Sequence, residues 1–159
     1  MASPKKQDSP AIKIPPPVIF VILLIIAGLA EYWYGLFRVA YVGGMIWTIA
    51  VLIWIFSGYL ALHAVFVLKR EGTPIDPSRP AIKIVAGGPF RISRNPMYLS
   101  LVLSMLGLSV AFVSIWFLIA TIILVVTLDR MAVMPEEAYL EAKFGDAYRA
   151  YQSSVRRWF

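Results

Sequence analysis

The apolar positions of this chain fall into three long blocks, separated by polar stretches that proline and glycine punctuate. Residues 18–37 form the first block, residues 45–68 the second, and residues 97–134 the third, which only Asp129 and Arg130 interrupt. The first two match the roughly 20 residues that a helix needs to cross hydrocarbon. The third exceeds one crossing and falls slightly short of two, so it predicts two short or tilted helices joined near residues 112–115. Ser100, Ser104, Gly107 and Ser109 are small enough to let that hairpin pack closely. The pattern predicts an all-α integral membrane protein with about four transmembrane helices and an amphipathic C-terminal helix on the cytoplasmic side.

The polar stretches carry their own signals. Residues 1–17 are polar and proline-rich and predict an extended or disordered arm, leaving residues 18–159 as a single membrane domain. Basic residues before an apolar run also suggest a secretory signal, but the run continues through Glu31, Tyr32, Trp33 and Tyr34 and is long enough to span. The three aromatic residues read as an interfacial belt, with Glu31 beside them in the headgroup zone. Residues 38–44 read as a short turn, and residues 69–94 form the one substantial polar loop. Within that loop Gly72-Thr73-Pro74 and Asp76-Pro77 mark turns, and residues 82–85 suggest a short extended piece. Gly87-Gly88-Pro89 is turn chemistry, and Asn95-Pro96 reads as a helix start, with asparagine as N-cap and proline at the first helical position. Arg91 and Arg94, three apart, share a face if this stretch is helical. A helix N-terminus with two arginines beside it favours an anionic group.

Composition agrees with a membrane assignment. Of 159 residues 60% are hydrophobic and 15% charged, against about 25% charged in soluble domains. The net charge of +6 then concerns topology and anionic headgroups, not nucleic acid. Four spans place fourteen of the fifteen basic residues on one face and only Arg38 on the other, which predicts that face and both termini to be cytoplasmic. The absence of cysteine excludes disulfides, thiolate metal sites and cysteine nucleophiles. The single histidine, His63, rules out a histidine-rich metal site and reads as a helix histidine with a local hydrogen bond.

Pro135 reads as the start of the last element. Glu136 and Glu137 suit a first helical turn. Phe144, Tyr148 and Tyr151 fall at i, i+4 and i+7 and share one helical face, weakened by Gly145. Arg156, Arg157 and Trp158 close the chain as interfacial anchors. The last hydrophobic hairpin brings its two ends together. Arg91, Arg94, Asn95 and Tyr98 therefore face Glu136, Glu137, Tyr148 and Tyr151. Such a set suits a zwitterion bearing an aromatic ring. Arginine takes a carboxylate, glutamate takes an ammonium, and tyrosine stacks on the ring. S-adenosylmethionine has all these parts.

Gly-Pro-Phe-Arg-Ile-Ser-Arg-Asn-Pro-Met-Tyr at 88–98, the hydrophobic hairpin, and Glu-Glu-Ala-Tyr-Leu-Glu-Ala-Lys-Phe-Gly-Asp-Ala-Tyr-Arg-Ala-Tyr at 136–151 resemble the isoprenylcysteine carboxyl methyltransferase family. That family is related to the phospholipid N-methyltransferases. The likeness covers roughly residues 69–158. It implies a cofactor-binding half at 69–159 and S-adenosylmethionine held at the cytoplasmic membrane surface. Arg94, Asn95, Tyr98, Glu136 and Glu137 are the implied cofactor residues, joined by Tyr148 and Tyr151. Arg94, Asn95 and Glu137 would carry the catalytic roles, with no metal.

The family commonly has histidine where Asn95 stands, and asparagine cannot take a proton near neutral pH. That difference favours a lipophilic or lipidated acceptor that is already ionised, a carboxylate, over a phospholipid amine. An amine would have to yield a proton to Glu136, Glu137 or the more distant His63. Two other classes remain at this stage. Sterol reductases carry a similar Arg-His-Pro-X-Tyr segment and use a nicotinamide cofactor. A non-enzymatic protein binding membrane lipids also explains the charges.

Overall fold

The computed structural model describes residues 9, 10, 12, 14–35 and 43–158. Lys5, Lys6, Lys13 and Arg38, most of the arm at 1–17, the end of the first block and most of the turn at 38–44 lie outside the described residues. Four apolar helices form the bundle: α1 (Pro16–Tyr34), α2 (Gly44–Arg70), α3 (Pro96–Phe112) and α4 (Ile115–Leu128). The chain ends in α5 (Met134–Phe144) and α6 (Asp146–Ser154), and no strand occurs among the described residues. The extended piece expected at 82–85 is irregular loop.

Three helices are long and apolar enough to cross a membrane: α1, α2 and the continuous helix Ile115–Phe144. At 17 residues α3 is shorter, about 25 Å at 1.5 Å per residue. It compensates by position, packing against α1, α2 and α4. The start of α1, the end of α2, the start of α3 and the far end of α4 come to one end of the bundle, where all four help to line one cavity or support it. Exposed isoleucine, leucine, valine and aromatic side chains cover the outer faces of α1, α2 and α4, as lipid contact requires.

The small residues of α3 face a different neighbour from the one expected. Ser57 Oγ on α2 donates to the Ser100 carbonyl at 2.7 Å and bonds Ser104 Oγ at 2.8 Å, while Trp54 Nε1 donates to the Ser104 carbonyl at 3.1 Å. A Cβ on Gly107 would stand 2.3 Å from Trp54 Nε1. Ser100, Ser104 and Gly107 thus seat α2, not α4, because hydroxyls and an indole in hydrocarbon must find partners across the interface. Ser109 alone serves the hairpin, donating to the Ser114 carbonyl at 3.2 Å.

The α3–α4 turn is two residues long. Val113 takes the left-handed conformation at φ 48°, and Ser114 caps α4 by accepting from the Phe117 N–H at 3.4 Å. Ser114 Oγ also donates to Glu31, and Trp116 Nε1 donates to the Tyr34 carbonyl at 3.2 Å. Glu31 therefore ties the end of α1 to this turn.

Pro135 does not begin a new element. The helix runs on from α4 through a π-helical turn, Asp129–Val133, in which the Met134 N–H bonds the Asp129 carbonyl. Proline lacks the N–H that would reach back four residues and its ring crowds that carbonyl. Widening one turn keeps the helix unbroken and redirects the residues after it. The true break is Gly145, at φ 56° and ψ −126°, a conformation open to glycine.

The Gly107 contact yields the first prediction. Gly107→Ala should displace Trp54 and cost about 1–3 kcal/mol, lowering the thermal midpoint of the purified protein in detergent. Gly58→Ala, whose Cβ meets nothing within 4 Å, should leave the midpoint unchanged or raise it.

Candidate cofactor and acceptor cavity

The cavity at the shared end has a volume of about 690 Å³, within the range of small-molecule sites. Its wall comes from Pro10, Ile12 and Pro15 to Pro17, the later turns of α2, the loop at 73–85, Phe90, the stretch from Arg94 into α3, and α5 with α6. Pro10, Ile12 and Pro15 belong to the stretch set apart as an arm, yet they form part of this wall, and Ile12 packs against the apolar core. Tyr139 on α5 fastens the loop by accepting from the Ala81 N–H at 3.2 Å.

Seven residues singled out from sequence line it: Arg94, Asn95, Tyr98, Glu136, Glu137, Tyr148 and Tyr151. Tyr98 Oη donates to Glu136 Oε2 at 2.8 Å, joining the two ends of the hairpin directly. Glu137 is buried between two guanidinium groups: Arg94 Nη2 lies 3.2 Å from Oε1, and Arg157 Nη2 lies 2.6 Å from Oε2. Arg157 also reaches Asp129 Oδ1 at 3.1 Å, and Trp158 Nε1 donates to the same oxygen at 3.3 Å. The Glu137 hydrogen bond is the largest cause raising the Arg157 guanidinium further above its ordinary value.

Asn95 stands at the start of α3 but does not cap it with its side chain. Its amide Nδ2 instead donates to the Arg157 carbonyl at 3.3 Å, and Ser93 Oγ donates to that carbonyl at 3.0 Å. The Arg94 N–H reaches the Arg156 carbonyl at 3.0 Å. The C-terminal tail is therefore stitched to residues 93–95. With its amide nitrogen turned to the tail, Asn95 makes no side-chain bond to the first N–H groups of α3.

Two expectations fail by geometry. Arg91 and Arg94 do not share a helical face, because Arg91 ends the 3-10 turn Gly88–Arg91 and the residues from there to Arg94 are not helical. Arg94 lines the cavity and Arg91 does not. Phe144 is parted from Tyr148 and Tyr151 by the Gly145 break and is not in the wall. The two tyrosine rings lie 6.1 Å apart, and Tyr151 Oη donates to the Phe90 carbonyl at 2.7 Å. Burial raises both phenols above their ordinary range, so both stay neutral near pH 7.

Arg157 and Asp129 are the structural partners that the sequence reading passed over. A lone carboxylate in an apolar run needs a partner, and that was the available signal. Two buried polar atoms of the described residues have no hydrogen-bond partner, Arg94 Nε and Thr73 Oγ1, and both belong to the cavity wall. An unmet buried donor costs about 1–3 kcal/mol, a cost that a ligand accepting from it relieves.

Among known proteins, the family model described as phospholipid methyltransferase matches residues 45–147, from α2 into α6. An uncharacterized protein of Haemophilus influenzae is 40% identical over 62 residues, which is 39% of this chain and 98% of that one. No solved structure matches the chain.

The ion pairs generate the second prediction. Arg157→Ala leaves Asp129 with only the Trp158 N–H and Glu137 with only Arg94. Arg157 is about one third exposed, so the loss should fall near ~1–3 kcal/mol, below that of a fully buried pair. Combining it with Glu137→Gln should cost less than the sum of the single losses, as denaturation of the four proteins would show.

Proposed function

The chain belongs to the phospholipid methyltransferase family, a family of membrane methyltransferases, and on that premise we propose that it transfers a methyl group from S-adenosylmethionine to a lipophilic carboxylate at the cytoplasmic face of the membrane. The observation that carries the cofactor assignment is the cavity wall. It offers an unpaired Arg94 Nε, a carboxylate at Glu136 with no cationic partner among the described residues, and two neutral tyrosines, Tyr148 buried and Tyr151 half-buried.

These features fit the cofactor's chemistry. Arg94 receives the methionyl carboxylate, with Thr73 Oγ1 beside the same wall. Glu136 faces the cationic part, its orientation set by Tyr98. Tyr148 and Tyr151 offer faces to the adenine ring. Glu137 has both oxygens engaged by arginines, so its role is to hold Arg94 in place rather than to bind the ammonium itself. Asn95 likewise positions the start of α3 through the tail. Bound there, S-adenosylmethionine would supply a methyl group that a carboxylate oxygen can take without giving up a proton. No proton moves, so the chain has only to align the two groups and exclude water.

The carboxylate acceptor rests on Asn95, which cannot serve as a base where the related family has histidine, and on the commitment of its amide to the Arg157 carbonyl. Glu136 supports a second reading. A carboxylate with no cationic partner among the described residues could accept a proton from a phospholipid amine. The apolar outer surface and the family support integral membrane placement. The charge count supports the cytoplasmic side for the cavity and both termini. Neither a nicotinamide cofactor nor a purely lipid-binding role is needed to account for the family match.

Two outcomes follow. Arg94→Ala and Glu136→Gln should each weaken S-adenosylmethionine binding in detergent by about ten- to a hundredfold, the worth of a charge-assisted contact of ~1.5–3 kcal/mol. Unchanged affinity in both, with the fold intact, sinks the site. With cofactor carrying a labelled methyl group and a membrane lipid extract, the label should enter a product that releases methanol in alkali, as a methyl ester does. Its formation should be flat from about pH 6 to 9, above the carboxylate range. Alkali-stable label and a rate rising with pH would establish the amine reading instead.

A further inference from the structure

His63 and Arg91 take no part in the cavity described above, yet they meet in a second hollow on the outer side of α2. It has a volume of about 290 Å³ and shares no lining residue with the larger cavity. One wall is α2, with Phe56, Tyr59, Leu60 and His63 along it, and the other is the turn Gly88–Arg91 with Ile92. Gly88 brings the two together. At φ 55° it sits so close to α2 that a Cβ there would lie 3.1 Å from His63 Nε2 and 2.9 Å from Val67 Cγ2.

The hollow is graded in polarity along the axis of α2. His63 lies seven residues before Arg70 at the end of α2, about 10 Å deeper at 1.5 Å per residue. Its Nδ1 is engaged with Tyr59 Oη at 3.0 Å, which leaves Nε2 toward the turn. Phe56 lies two turns below His63, at the hydrocarbon end, while Arg91 stands on the turn above. Among the described residues Arg91 has no ion pair or hydrogen bond, and no carboxylate lines the hollow. Phe56, Tyr59 and Ile92 are exposed apolar or aromatic surface beside it.

We propose that this hollow binds an anionic phospholipid. Its phosphate rests on Arg91 and His63, and an acyl chain descends along Phe56 and Leu60. Charge complementarity selects the occupant. A cation without a partner at headgroup level, above an apolar wall, matches an amphiphile with a negative head and not a second helix. The site is independent of the methyl-transfer cavity and holds a resident lipid, not the acceptor.

The test uses the full chain in phosphatidylcholine vesicles carrying spin-labelled phosphatidylglycerol or spin-labelled phosphatidylcholine. The wild type should immobilise the anionic label in preference to the zwitterionic one. Arg91→Gln should weaken that preference about fivefold, the worth of one basic residue at an anionic surface, and Arg91→Lys should restore most of it. Arg91 is exposed, so its replacement leaves folding intact, which an unchanged melting point verifies. Equal immobilisation of the two labels, or an Arg91→Gln protein identical to wild type, overturns the proposal. Displacement of the label by soluble glycerol phosphate would show a site for free phosphate esters and overturn the lipid assignment.

Discussion

A carboxylate held between two guanidinium groups fastens three parts of this chain that lie well apart in sequence. Glu137 on α5 meets Arg94, just before α3, and Arg157, in the last residues of the tail. Near a membrane a buried charge survives only with a partner, and here one of the two partners is itself shared, since Arg157 also takes Asp129. The network therefore acts as one clasp over the end of the α3–α4 hairpin. Removing it would free the tail, whose carbonyls hold residues 93–95, and with the tail the geometry of Arg94.

The π turn before α5 sets which acid does what. By widening the helix at residues 129–133 it carries Pro135 without a break and presents successive glutamates to different neighbours. Glu137 turns to the arginines and Glu136 to Tyr98. Two adjacent carboxylates thus acquire different surroundings, one neutralised by cations and one not. The Gly145 break adds the second device. It swings α6 so that Tyr148 and Tyr151 complete the wall, with Tyr151 held to the Phe90 carbonyl.

Much of this was legible because bilayers impose simple rules. Length and apolarity located α1 and α2 to within a few residues, and the split of the third block near residues 112–115 follows from its length alone. The meeting of Tyr98 with Glu136 followed from closing a hairpin. Side-chain partnerships were harder, since the choice between neighbours is made by packing. Ser100, Ser104 and Gly107 announce a close contact but not that it is with α2. Asn95 carries a cap's signature and spends its amide on the tail. Arg157 looks like an interfacial anchor, and only the fold brings Asp129 to it. Periodicity could not carry Phe144 into the tyrosine face, because one glycine resets the helix direction.

The central claim is that the cavity bounded by Arg94, Tyr98, Glu136 and the two tyrosines receives the methyl donor. The most direct measurement is an experimental structure of the protein with S-adenosylhomocysteine. The account predicts the ligand carboxylate within hydrogen-bond reach of Arg94, the amino end toward Glu136, and the adenine ring against Tyr148 or Tyr151. A ligand seated elsewhere, or one whose carboxylate is met by other cations while Arg94 keeps only Glu137, would contradict it.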